Sequence, residues 1–191
     1  MFIVNQFPPL AQLVRAQSLY LWGPWFESKR VDTYMINEFV AKKLGEVGAF
    51  AALGKDTLDK GMKASSELWG ESKTREILDM HEKTLSYVDD FAKRENVEGI
   101  TIPKQEATFQ KLQAMRDMYM KDAWDNPVEI AEWSGFFLGA AKVHWALVEG
   151  AAEALRYESL AANAKENIAF HDALLAHTQN YLHSAAKTKI K

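Results

Sequence analysis

From 128 to 186 the chain contains no proline, and its last glycine is Gly150. A β-fold needs a turn every few residues, and turns draw on Gly and Pro, so a stretch this poor in both has to be helix. Globular helices seldom run far past ~25 residues, which predicts one bend in this stretch, near 157–159. The rest of the chain is nearly as sparing, with 5 Pro and 10 Gly in 191 residues. The expected fold is all-α: an antiparallel bundle of four to six helices, some long and kinked, forming a single domain over 1–191. Residues 1–8 are expected as an N-terminal extension and 187–191 as a fraying basic tail.

The few breakers set the expected joints. A short helix is expected over 9–22 and ended by Gly23-Pro24, with Pro24 opening the next helix, where its missing N–H would be unpaired anyway. In that second helix Ile36, Val40, Leu44, Val47 and Ala51 recur at steps of three and four, the spacing of one helical face. Gly54 is expected to close it, with Asp56 or Thr57 capping the next helix. The third segment, 57–93, carries Gly61 and Gly70, so it is one kinked helix or two. A loop is expected over 96–103, because the residue before Pro103 resists helical angles; a fourth helix starts near Pro103 and runs to about Trp124. Asp125-Asn126-Pro127 is the clearest joint. Asn126 suits the cap, Pro127 the first helical position, and Glu129 the first turn, where a carboxylate meets free N–H groups and the positive end of the helix dipole.

Composition removes several classes of function. Apolar residues at 48% and charged residues at 26% make the balance of a globular chain, not a disordered one. A net charge of -3, with Lys and Arg scattered among acids, gives no electrostatic footing for nucleic acid. The absence of cysteine excludes disulfides, thiolate-bound zinc, iron–sulfur clusters and thiol nucleophiles. No run reaches the ~18 to 20 uninterrupted apolar residues of a membrane span; the nearest, 134–155, holds Lys142, His144, Glu149 and Glu153. The first residues lack the basic start of a signal peptide, and Pro8-Pro9 interrupts their apolar run. A cytoplasmic location is expected.

The segment 130–155 is the anomaly. Lys142, Glu149, Glu153 and Arg156 fall at steps of seven, four and three and form one narrow polar stripe. The surface left over carries Trp133, Phe136, Phe137, Leu138, Val143, Trp145, Leu147 and Val148. A helix apolar nearly all round is buried on several sides, and where it is not, it meets a partner subunit or an apolar surface. Gly135 and Gly139, four apart, offer a flat patch for a neighbouring helix.

Motifs that carry chemistry are missing one after another. A di-iron bundle needs a carboxylate three residues before each ligating histidine, and here those positions are Leu78, Ala141, Ile168, Leu174 and Asn180. No nucleophile elbow, dinucleotide-binding turn or phosphate loop occurs; Gly54-Lys55-Asp56 is not one. No catalytic residue, metal site or cofactor is expected. The candidates for a ligand-binding role are His144, on a line with Phe137, Ala141 and Val148; Glu46, aligned with Phe39 and Phe50 beside Lys42 and Lys43; and His81 and His171. His144 reads as a core histidine with one hydrogen bond, or as a ligand or proton-transfer group. Glu46 reads as an edge carboxylate with its apolar stem packed.

Two stretches read alike: Leu68-Trp69, a polar break, then Glu76-Ile77, and Ala123-Trp124, a polar break, then Glu129-Ile130. With the Asn126-Pro127-Val128-Glu129-Ile130 and Ser72-Lys73-Thr74-Arg75-Glu76 runs, the overall length and the Ala-rich helices, the chain resembles the phasins, proteins that coat intracellular polyester granules. Its many Trp and bulky aromatics, and Trp22-Gly23-Pro24-Trp25, depart from that pattern. The resemblance implies a non-enzymatic protein that binds an apolar surface or a protein partner through amphipathic helices, with a homo-oligomer covering the wide apolar face. The alternative is a ferritin-like or other helical bundle that binds a metal, haem or small ligand in its core near His144.

Overall fold

The computed structural model describes the backbone from Lys29 to Ile190 and side chains from Glu38 onward. Contacts divide the chain between Ile36 and Asn37, and the helix packing belongs to the unit that begins at Asn37. The helix expected over 9–22 and the Gly23-Pro24 break lie outside the described residues. Among the described residues there are six α-helices and no strand: α1 (Lys29–Lys60), α2 (Met62–Trp69), α3 (Glu71–Arg94), α4 (Glu98–Met120), α5 (Pro127–Leu155) and α6 (Glu158–Lys189), with one 3-10 turn (Ala123–Asp125) before α5.

Two apolar clusters fill the bundle, one toward each end. The first joins Phe50 and Leu53 of α1, Leu68 and Trp69 of α2, Ile77 of α3, Met120 of α4, Ile130 and Phe137 of α5, and Leu174 of α6. The second joins Val40, Leu44 and Val47 of α1, Val88 and Phe91 of α3, Trp145 and Val148 of α5, and Leu160 and Ala164 of α6. Chain order along each helix then gives direction: α1 and α6 run from the second cluster to the first, α3 and α5 from the first to the second. The bundle is antiparallel, as expected. Helix α5, like α1, α3 and α6, supplies large side chains to both clusters, and it packs along α6; its other side stays exposed at Phe136, Val143 and Leu147, so it is not the enclosed helix that its composition predicts.

Several joints fall where the sequence puts them. Asn126 Oδ1 accepts a hydrogen bond from the Val128 N–H at 3.1 Å, with Pro127 as the first residue of α5. The bend expected near 157–159 is real: α5 stops at Leu155, Arg156 takes a left-handed φ of 59°, and α6 begins at Glu158. Gly61 and Gly70 both break the third segment, so 57–93 is neither one kinked helix nor two but three pieces.

Two expectations are corrected. Gly54 does not close a helix; α1 continues through it to Lys60, and Thr57, expected as a cap, instead donates its hydroxyl back to the Leu53 carbonyl at 2.7 Å. Gly54 is there because the His81 ring lies against it: a β-carbon at this position would overlap His81 Nε2. The expected loop over 96–103 is confined to the turn at Glu95–Val97, where Asn96 takes a left-handed φ of 55°, and α4 already begins at Glu98 with Pro103 inside it. Proline there leaves the Gly99 carbonyl without its donor, and Gly99 is exposed, so water can take that carbonyl.

Candidate functional site

The four candidate residues do not converge. They form two pairs, Glu46 with His144 and His81 with His171, joined by an aromatic path. His144 lies on Phe50 (centroids 5.0 Å apart), Phe50 on Phe137 (5.5 Å), and Phe137 meets the edge of His81 (6.3 Å).

Glu46 is a buried carboxylate, not an edge one, with 7% of its surface exposed. Its Oε2 takes Lys43 Nζ at 2.8 Å and His144 Nδ1 at 2.9 Å, and its Oε1 takes Lys104 Nζ at 2.9 Å. Burial pushes the carboxyl up, but the hydrogen bonds and charges of Lys43 and Lys104 outweigh it and hold it below the ordinary range. An ionised carboxylate only accepts, so His144 Nδ1 is the donor in this contact. Sequence pattern picks out Glu46 and His144 but not Lys104, which comes from α4. It arrives because α1 has glycine where α4 crosses: a β-carbon on Gly45 would meet the Thr101 carbonyl oxygen at 2.5 Å, and one on Gly48 the Gln105 side chain at 2.6 Å. The Gly45-x-x-Gly48 pair, on one side of a long helix, was the available signal.

His81 and His171 are both 4% exposed. Burial, with the charge of His171 adding to it, drives His81 down to about 3. Burial also lowers His171, against the hydrogen bond of its Nδ1 to the Asn167 carbonyl at 2.6 Å. Both rings are neutral at pH 7. His81 lines a cavity of about 20 Å³ with Ser65, Trp69, Trp133 and Phe137, and Ser65 Oγ and Trp133 Nε1 find no protein partner. That volume admits about one water, far below the few hundred Å³ an organic cofactor fills. His144 does not line it. Among the described residues no three His, Asp or Glu side chains stand close enough to share a metal ion.

Buried polar groups elsewhere tie helices together. Arg116 of α4, fully buried, pairs with Asp56 of α1 at 2.6 Å and with Asp117 at 2.8 Å, reaches Thr57 Oγ1 at 3.1 Å, and lies 5.1 Å from the Trp124 ring centroid. Thr84 of α3 donates to Asn167 of α6 at 3.0 Å.

The outer side of α5 is the other unusual feature. Along the arc that points away from the bundle stand Phe136, Gly139, Val143, Ala146, Leu147 and Gly150, with Ala140 half-buried at its edge against the first cluster, and none carries a hydrogen-bonding side chain. Phe136 is 56%, Val143 62% and Leu147 43% exposed. Gly135 and Gly139 face open space, so no helix of the bundle uses the flat patch they make. At its start the arc continues into a groove on α4 lined by Met115, Met118 and Tyr119 against Trp133 and Phe136, with Lys121 also in its wall. Acids bound it: Glu132 accepts from the Tyr119 hydroxyl at 2.8 Å and Glu153 from Lys165 at 2.8 Å. No helix is long and apolar enough to cross a membrane among the described residues.

Compared with known proteins, the chain matches no family model, no curated protein and no solved structure.

Proposed function

We propose that this is a non-enzymatic binding protein that buries the outer face of α5 against an apolar surface or an apolar partner. The observation that carries the reading is the uncharged outward arc from Phe136 to Gly150. An exposed helix face ordinarily takes the polar residues of an amphipathic pattern; here α5 buries Trp145 and Val148 inward and shows Val143 and Leu147 outward. With the groove on α4 this exposes on the order of 600 Å² of apolar surface, the upper end for the largest patch on a monomer. Methionines at the groove suit a surface without fixed shape, because an unbranched thioether repacks easily. The likeness to phasins supports a polyester surface as one such occupant. The buried histidines and the Glu46 cluster offer no room for a substrate and act in packing.

The test is adsorption of the full chain to phenyl-coated beads and to polyester particles. The wild type should coat both, and a Phe136→Gln, Val143→Gln, Leu147→Gln variant should lose at least tenfold in affinity with unchanged helical circular dichroism. A wild type that ignores both surfaces and captures no apolar partner defeats the proposal.

A further inference from the structure

We infer that the occupant of the α5 face in water is the same face of a second copy, paired antiparallel about a two-fold axis at Val143. This pairing rests on the binding role proposed above and names its partner. The order of large and small residues along the face points to it. Outward positions recur as Phe136, Gly139, Val143, Ala146 and Gly150, with Ala140 and Leu147 on the side toward α4. Turn this strip end over end about Val143 and each bulky side chain falls on a small one. Phe136 meets the partner subunit's Gly150, Leu147 meets the partner subunit's Ala140, and Ala146 meets the partner subunit's Gly139. Only the two Val143 side chains meet like with like, on the axis. A parallel pairing would stack Phe136 on its own copy and leave a gap at each glycine.

The glycines need a reason of this kind. Glycine inside a helix costs about 1 kcal/mol relative to alanine. For Gly45, Gly48 and Gly54 the fold supplies the reason, because a neighbour occupies the space of the missing β-carbon. For Gly139 and Gly150 nothing lies within 4 Å, so the fold of one copy does not use them. Close approach of a second helix does. The arc spans about 21 Å at 1.5 Å per residue, and together with the adjoining α4 groove it exposes on the order of 600 Å² of apolar area, which approaches the ~800 Å² per partner of a stable interface. Charge agrees with the register: Glu132, one turn before Phe136, and Glu153 lie at the ends and rim of the strip, each already paired within its own copy, and no charged side chain falls on the pairing line between Phe136 and Gly150.

The full chain has no native cysteine, so single thiols report cleanly. Sedimentation equilibrium at micromolar concentration should give twice the chain mass. Val143→Cys should oxidise to a disulfide-linked dimer, since axis-related Cα atoms in a close pair come within the ~7 Å a disulfide spans, whereas Lys83→Cys on an exposed face of α3 should not. Gly150→Phe should shift the protein to monomer by at least a hundredfold in dissociation constant while melting no lower than the wild type, and adding Phe136→Ala to it should restore the dimer. A monomeric wild type overturns the pairing, and so does a dimer that tolerates Gly150→Phe and fails to cross-link at 143. Failure of the binding role reads differently: a dimer with this variant pattern that ignores apolar beads keeps the pairing and removes the surface, and a monomer that coats beads does the reverse.

Discussion

Acidification should unfold this protein through its buried histidines before its carboxylates titrate. His81 titrates near 3 in the fold, against about 6.5 when the chain is unfolded. A depressed histidine pKa means the unfolded state binds the proton first, so the stability His81 contributes is complete above pH 6.5 and is lost as pH falls toward 3. Between pH 7.5 and 5 that window is worth about 1.5 pH units at 1.36 kcal/mol each, or about 2 kcal/mol. His171 is shifted in the same direction and adds to the loss. Glu46 does not interfere, because its carboxyl is held below the ordinary carboxylate range and its contribution is lost only in more acidic solution. The assay is urea unfolding at half-unit pH steps on wild type and on His81→Phe, whose ring can use the small cavity beside it. The wild type should lose about 2 kcal/mol more than the variant between pH 7.5 and 5. Parallel stability curves, within about 0.5 kcal/mol, would refute the reasoning, because they would mean that His81 is protonated as easily in the fold as outside it.

Other substitutions separate positions that look alike in the sequence. Gly54→Ala should destabilise by about 1 to 3 kcal/mol despite better helix propensity, since its β-carbon overlaps the His81 ring, while Gly135→Ala, facing open space, should stabilise by about 1 kcal/mol; thermal melts of the two read the difference, and equal shifts would contradict the packing at Gly54. Arg116→Ala should cost about 3 kcal/mol, because it removes the only described cation that joins α4 to Asp56 of α1 and leaves a buried polar site half-made. Denaturant midpoints read that loss, and a change below about 1 kcal/mol would show that Arg116 is not a tie between helices.

Much of the frame was legible because it depends on local chemistry. The cap at Asn126-Pro127 and the break near 157 follow from what single residues permit, and the apolar spacing of Val40, Leu44, Val47 and Ala51 identifies the buried side of α1 without a partner helix. The role of each glycine was not legible. Gly54, Gly61 and Gly70 look equivalent along the chain, yet two end helices and one admits a histidine ring from α3. Pro103 likewise reads as the place where a helix starts, yet α4 begins five residues before it, at Glu98, and the exposed Gly99 carbonyl absorbs the missing donor.

The sequence by itself determined that the chain is helical, where most of its joints lie, and that α5 is apolar nearly all round, since these follow from propensity, capping and periodicity within a few residues. Only the tertiary structure decided which apolar residues of α5 stay uncovered, that Lys104 and Lys43 hold Glu46 ionised beside His144, and that His81 and His171 sit apart from them in a neutral interior. Those outcomes depend on which helix lies next to which, and that is set by contacts between residues tens of positions apart.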